Sequence, residues 1–326
     1  MRRTTLLAAA LALVLSACNE GPRPRYVVPS YSVPPYGELV EMYEYDTSEP
    51  LGYQELGSER EDAATVYDIT YQSSGFTVPA WLVIPDGQGP FPVVLYAHPF
   101  TMDRDYFRYD AFELAKEGFA GLLIDSSAVR APNDEFFSWD AQSDIQGFVH
   151  YVIDLRRGID LLQTLPEIDA GRIGFVGISI GGWVGSILSG VEDRIDAYVL
   201  SGIGAYSSDE PDRAGWAGPL PRGDALAEYQ DAMAVVYPVE YVGHNQAGAL
   251  LFQESKADEM VSLGNIRSLF QAAGGTKELR WYAGPGEDLG MLGHHHLACT
   301  RGYWASGCPA DLPAYVDHRA WLQENV

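Results

Sequence analysis

Between residues 172 and 185 the chain reads Arg-Ile-Gly-Phe-Val-Gly-Ile-Ser-Ile-Gly-Gly-Trp-Val-Gly. Residues 173–176 are an apolar run, Gly177-Ile178-Ser179-Ile180-Gly181 follows, and an apolar stretch of helical character comes next. A buried strand that turns directly into a helix leaves the serine at the apex, and so tight a turn has no room for side chains at 177 and 181. Ser179 is therefore a candidate nucleophile. The helix that begins just after it aims free backbone N–H groups at the same spot, which suits a developing negative charge. With 34 glycines in the chain, Gly-x-Ser-x-Gly arises easily by chance. The strand before it and the helix after it are what give the motif weight.

The surrounding sequence alternates in the same way. Residues 65–71 and 76–84 each alternate apolar and polar across Ser74-Gly75, which predicts a hairpin. Residues 93–97 and 119–124 are short, wholly apolar strands of the buried kind. Helices are expected over 105–118, 145–165, 265–273 and 312–324, and further strands over 197–200, 249–252 and 278–282. Such alternation calls for an α/β fold, a mostly parallel central sheet with helices on both faces. Residues 205–247 break the rhythm with Pro211, Pro219, Pro221 and Pro238 around a helix expected over 225–236. They are expected as a small lid insertion over the site.

A chain of 326 residues can hold one large catalytic domain. Its 45 acidic and 21 basic residues give a formal charge of −24. Only Lys116, Lys256 and Lys277 are lysines. That surface repels phosphate backbones, so a nucleic-acid partner is not expected. At the amino terminus Arg2 and Arg3 precede an apolar stretch, residues 6–15, too short to span a bilayer. It ends in Leu15-Ser16-Ala17-Cys18, which resembles the lipobox of bacterial lipoproteins, with Asn19 following the cysteine. The resemblance implies a signal peptide over 1–18, a lipid on Cys18, and export to the outer membrane, periplasm or cell surface. Membrane contact is then expected through the lipid anchor alone. Residues 19–62, rich in proline and tyrosine, read as a tether and lead-in, and 63–326 as the catalytic domain. With Cys18 lipidated, Cys299 and Cys308 remain as an expected disulfide in an oxidising compartment.

A serine nucleophile needs a base, and the base needs an orienting carboxylate, in the order Ser, Asp, His after successive strands. Asp258 follows the strand at 249–252, at the edge where catalytic groups collect, with Glu259 beside it as the alternative. His294, His295 and His296 stand together after the last strand, and His318 lies on the final helix. Consecutive histidines in one loop rarely converge on one ion, and no Cys or His pair has zinc-ligand spacing. No metal or other cofactor is expected. Oxyanion donors are the backbone N–H groups of Ile180 and, because Pro99 lacks one, of Phe100 in the His98-Pro99-Phe100-Thr101 loop. His98 reads as a brace for that loop, and Asp125 as fixing another.

Taken together, Ala80-Trp81-Leu82-Val83-Ile84-Pro85, His98-Pro99-Phe100, the run from Gly177 to Gly182, Asp258 and the histidine cluster resemble the α/β-hydrolase superfamily over residues 63–326. Within it the chain is most similar to dienelactone hydrolase, acetyl xylan esterase and prolyl-oligopeptidase-type catalytic domains. The resemblance implies the α/β-hydrolase fold, a Ser-His-Asp triad, an acyl-enzyme and a small-molecule ester substrate. It also singles out His295, since the base in such enzymes often reads His-x-Leu ahead of the last helix. Dienelactone hydrolases carry cysteine where this chain has Ser179, and these families usually carry His-Gly where it has His98-Pro99. Two further readings use the same fold. A serine peptidase of prolyl-oligopeptidase type would need a site for a peptide amino terminus, which no paired-glutamate motif announces. A catalytically dead binding protein would not need all the triad types in order.

Overall fold

The runs at 93–97, 119–124 and 173–178 lack polar positions because both of their faces are covered. They form the centre of one sheet, in β4 (Phe91–Ala97), β5 (Ala120–Ile124) and β6 (Ile168–Ile178). The computed structural model describes residues 31–100, 102–130, 136–205, 221–256, 258, 260–282 and 313–326. Among these, β1 (Gln54–Glu61), β2 (Ala64–Ser73), β3 (Phe76–Pro85), β7 (Ala197–Ser201), β8 (Ala249–Ser255) and β9 (Lys277–Tyr282) complete nine strands. Their order is β1-β2-β3-β5-β4-β6-β7-β8-β9. The hairpin at one edge is antiparallel, as is its join to β5, and every pair from β5 to β9 is parallel.

Period-two alternation divides each central strand between two cores. Ile173 and Phe175 of β6 enter one cluster, whereas Val176 and Ile178 enter the other. The first cluster lies under α4 (Ala141–Leu162), α5 (Ile180–Val191) and α8 (Leu263–Ala272), and the second under α2 (Arg108–Ala115) and α9 (Pro313–Asn325). Helix α4 starts four residues before the apolar periodicity does. Asp140 accepts from the N–H groups of Gln142 and Ser143 and caps it. Helix α2 is shorter than expected, because Asp103 turns the chain first and Gly118, at φ +88°, ends it.

Two segments carry more structure than their composition indicates. Residues 31–62 are more than a tether and lead-in, since they hold α1 (Tyr36–Glu41) and the edge strand β1. Tyr43 is 0% exposed, the Arg156 guanidinium donates to its carbonyl at 2.7 Å, and Arg157 donates to the Glu49 carbonyl at 2.8 Å. Tyrosines do the burying here, and aliphatic periodicity does not register them. Strand β1 has no apolar face because it is exposed throughout, and its charges guard an open sheet edge. The insertion, in its described part, packs as a layer of core. Helix α6 (Asp224–Met233), a 3₁₀ turn (Ala234–Val236) and α7 (Val239–Val242) bury Tyr229, Met233, Val236, Tyr237 and Tyr241 against α4 and α5. Trp183 of α5 donates its indole N–H to the Val236 carbonyl at 2.6 Å. Residues 206–220 lie outside the described residues.

Candidate active site

Ser179 closes β6 and caps α5 with φ 56° and ψ −119°, a conformation that strains any residue other than glycine. Four contacts enforce it. The Ser179 N–H donates to the Ser201 carbonyl at the end of β7, and the Ser179 carbonyl accepts from Trp183, both at 2.8 Å. A Cβ on Gly181 would stand 2.6 Å from the Ala97 carbonyl carbon and closer still to its oxygen. A Cβ on Gly177 would stand 2.5 Å from the Gly181 carbonyl carbon. Both glycines are therefore required by close approach of backbone. Residues 173–178 and 180–189 are buried while Ser179 is half-buried, so the turn lifts this one side chain toward solvent.

Ile180 is the first residue of α5, where a helical N–H has no partner within the helix. Close packing of Gly181 on Ala97 brings the exit of β4 beside it, and Phe100 lies in that exit loop. His98 braces the loop. Its Nε2 accepts from the Ser126 N–H at 2.9 Å, its Nδ1 donates to the Pro99 carbonyl at 2.9 Å, and its backbone N–H donates to the Tyr151 hydroxyl at 3.0 Å. Accepting at one nitrogen and donating from the other fixes a neutral tautomer. Burial lowers its pKa to about 4, so His98 is a brace and no base. Asp125 accepts from the Arg104 N–H at 2.8 Å, which ties the end of β5 to the loop after β4.

Asp258 follows β8 on the carboxyl-terminal edge of the sheet. Its Oδ1 accepts from the N–H groups of Met260 and Val261, both at 2.8 Å, which holds the carboxylate in one orientation. Glu259, the three histidines His294, His295 and His296, and the cysteines Cys18, Cys299 and Cys308 lie outside the described residues. His318 is committed elsewhere. Its Nε2 meets Asp110 Oδ1 at 2.8 Å in the second core, where it joins α9 to α2. Among the described residues no group of three His, Cys, Asp or Glu side chains is placed to hold a metal ion.

Two features escaped the sequence reading. Glu254, on β8, is fully buried and accepts from the Ile203 N–H at 3.2 Å. The available signal was its place in the strand, since it continues the core-facing row of Leu250 and Phe252. The second is a chain of aromatic rings that starts in the loop after β4. Phe100 meets Phe137 edge-on at 6.0 Å, Phe137 meets Trp183 at 6.2 Å, and Trp183 meets Tyr237 at 5.9 Å. Phe137 and Trp139 both have positive φ, at 60° and 69°. Buried Asp144 holds that segment, accepting from Ser138 N–H at 3.0 Å, Ser138 Oγ at 2.6 Å and Trp139 N–H at 3.3 Å. It also accepts from the Tyr229 hydroxyl of α6 at 2.6 Å.

Residues 50–206 match the family described as Esterase FrsA-like, a span that contains Ser179 and ends before Asp258. Among solved structures, the acetyl xylan esterase from Paenibacillus sp. R4 is 17% identical, with 89% of this chain and 93% of that chain covered at a TM-score of 0.65. Acetyl xylan esterase 1 from Thermoanaerobacterium sp. JW/SL YS485 is 16% identical, with 78% and 88% covered at a TM-score of 0.61. The 2,6-dihydroxy-pseudo-oxynicotine hydrolase is 17% identical, with 81% and 67% covered at a TM-score of 0.57. At these identities the likeness establishes a shared fold.

Proposed function

We propose that the chain is a serine hydrolase of the α/β-hydrolase superfamily that cleaves carboxylic esters through an acyl-enzyme. Ser179 Oγ attacks the ester carbonyl carbon as His295 takes its proton. Asp258 orients the imidazole and stabilises its charged form. The N–H groups of Ile180 and Phe100 hold the oxyanion. Collapse returns the proton to the departing alcohol, and water repeats the sequence to release the acid. The apolar part of the substrate lies along the rings of Phe100 and Phe137. We place this chemistry in an exported lipoprotein with lipid on Cys18 and a Cys299–Cys308 disulfide near the base.

The observation that carries this reading is the backbone of Ser179. A strained serine at a helix N-terminus, lifted out between two buried flanks, is the arrangement an acyl-transfer nucleophile requires. Incubation with a fluorophosphonate followed by peptide mapping is expected to label Ser179. Ser179→Ala is expected to fold and to lose about 10⁴-fold or more in ester turnover. Labelling at another serine, or retention of turnover within about tenfold, would overturn the assignment.

A further inference from the structure

Strand β8 presents Leu250, Phe252 and Glu254 to the core under α5 and α8, so a carboxyl group stands where the strand pattern calls for an apolar side chain. Glu254 is 0% exposed. One oxygen accepts from the Ile203 N–H, and the other is buried with no hydrogen-bond partner among the described residues. No lysine, arginine or histidine pairs with it there. The charged group that acts on it is Asp258, four residues on, whose own Oδ1 is occupied by two backbone N–H groups.

A carboxylate buried without a counter-charge costs several kcal/mol, and keeping the proton avoids most of that cost. A neighbouring carboxyl adds to that preference for the neutral form. Glu254 is such a buried carboxyl among the described residues, with one oxygen unpartnered and the Asp258 carboxyl nearby. We propose that Glu254 is a positioning residue of the reaction, a neutral carboxylic acid at the root of the acid loop that clamps the exit of β7. The clamp reaches the nucleophile in one step. Ile203 follows Ser201 and Gly202, and the Ser201 carbonyl is the group that holds the Ser179 N–H. Burial first, and the charge of Asp258 second, push the Glu254 carboxyl well above the ordinary glutamate range. With the folded pKa raised, the stability present at low pH is lost as pH rises from the ordinary glutamate value toward the folded one.

The inference rests on Ser179 and Asp258 as the catalytic pair, and its test separates the two claims. Glu254→Gln keeps an acceptor for Ile203 and mimics the neutral acid. Glu254→Leu removes the acceptor. Melting temperature and ester kcat/KM are measured for both variants and wild type between about pH 5 and pH 9. Glu254→Gln is expected to stay within about threefold of wild-type kcat/KM at neutral pH, with a melting advantage that grows as pH rises. Glu254→Leu is expected to lower kcat about tenfold or more with little change in KM. A melting difference that is flat across pH, or a glutamine variant as damaged as the leucine one, overturns the proposal. Melting requires no turnover. A wild type inactive on every ester would therefore defeat the catalytic reading and leave the melting result to judge Glu254.

Discussion

At the exits of β4 and β6 the chain is positioned by atoms that touch. At the exit of β8, on the same edge of the sheet, it is positioned by hydrogen bonds. Gly181 lies so close to the Ala97 carbonyl that a methyl group would overlap it, and Ser179 is held in its strained conformation by main-chain bonds at 2.8 Å on both sides. Asp258 is half-buried, and two N–H groups on one of its oxygens set its direction. The first region is built from the absence of side chains, and the second from the polarity of one. Steric changes should therefore break the first and spare the second, while removing the charge at residue 258 should cost activity without unfolding either.

The largest effect is expected from Gly181→Ala. Its Cβ meets backbone atoms of β4, which cannot rotate away, so stability should fall by about 3 kcal/mol or more and activity should vanish with it. The matching change at the other exit is Val261→Ala. Val261 contributes its N–H, which alanine keeps, so turnover should stay within about threefold. Thermal melts with ester assays on both variants test the contrast directly. Similar losses in the two would mean that contact governs both exits alike.

The touching region was the more legible in sequence. Gly177, Ser179 and Gly181 are spelled out within five residues, and the steric argument from their types holds in the structure. His98 was also recognisable as a brace, because its neighbour Pro99 and its place after a buried strand left it little other work. The region held by hydrogen bonds was legible in position and illegible in detail. Asp258 stands out as the acid after a strand, but nothing in the sequence says that Met260 and Val261 will donate to it. Glu254 is illegible because the apolar run that marks its strand stops at residue 252, whereas the strand itself continues to Ser255. The aromatic chain is illegible for a related reason. Phe100, Phe137, Trp183 and Tyr237 come from four separate segments, and only the closed fold brings their rings within about 6 Å of one another.

Next in size is Asp258→Asn. Asparagine keeps an oxygen for the Met260 and Val261 N–H groups, so the loop should hold and stability should change by less than about 1 kcal/mol. In the proposed triad a carboxylate that would orient the base is replaced by a neutral amide, and kcat/KM should drop about 10²- to 10⁴-fold. Activity lost with stability kept is the signature of a site held by polarity. Glu259→Gln should be mild by comparison, and the opposite ranking in a steady-state assay would move the acid to residue 259.

The smallest effect separates the two exits by the side of neutrality on which each fails. His98 is 3% exposed and accepts the Ser126 N–H at Nε2. Protonation there would break that bond and place a charge in the core. Burial holds its folded pKa at about 4, below the unfolded value of about 6.5. The folded state thus binds fewer protons, and the stability His98 contributes is complete above about pH 6.5 and is lost as pH falls toward about 4. The full linkage is on the order of 3 kcal/mol. At the β8 exit the sign is opposite, because Glu254 has a raised pKa and its loss comes as pH rises. His98→Gln should lower the melting temperature at neutral pH, since glutamine cannot span Pro99 and Ser126 as the ring does, and should flatten its decline between about pH 6.5 and pH 4. Glu254→Gln should leave that acid decline as it is. Should the acid decline survive in His98→Gln, it belongs to carboxylates elsewhere, and the β4 exit is held by contact alone with no contribution from the protonation state of its brace.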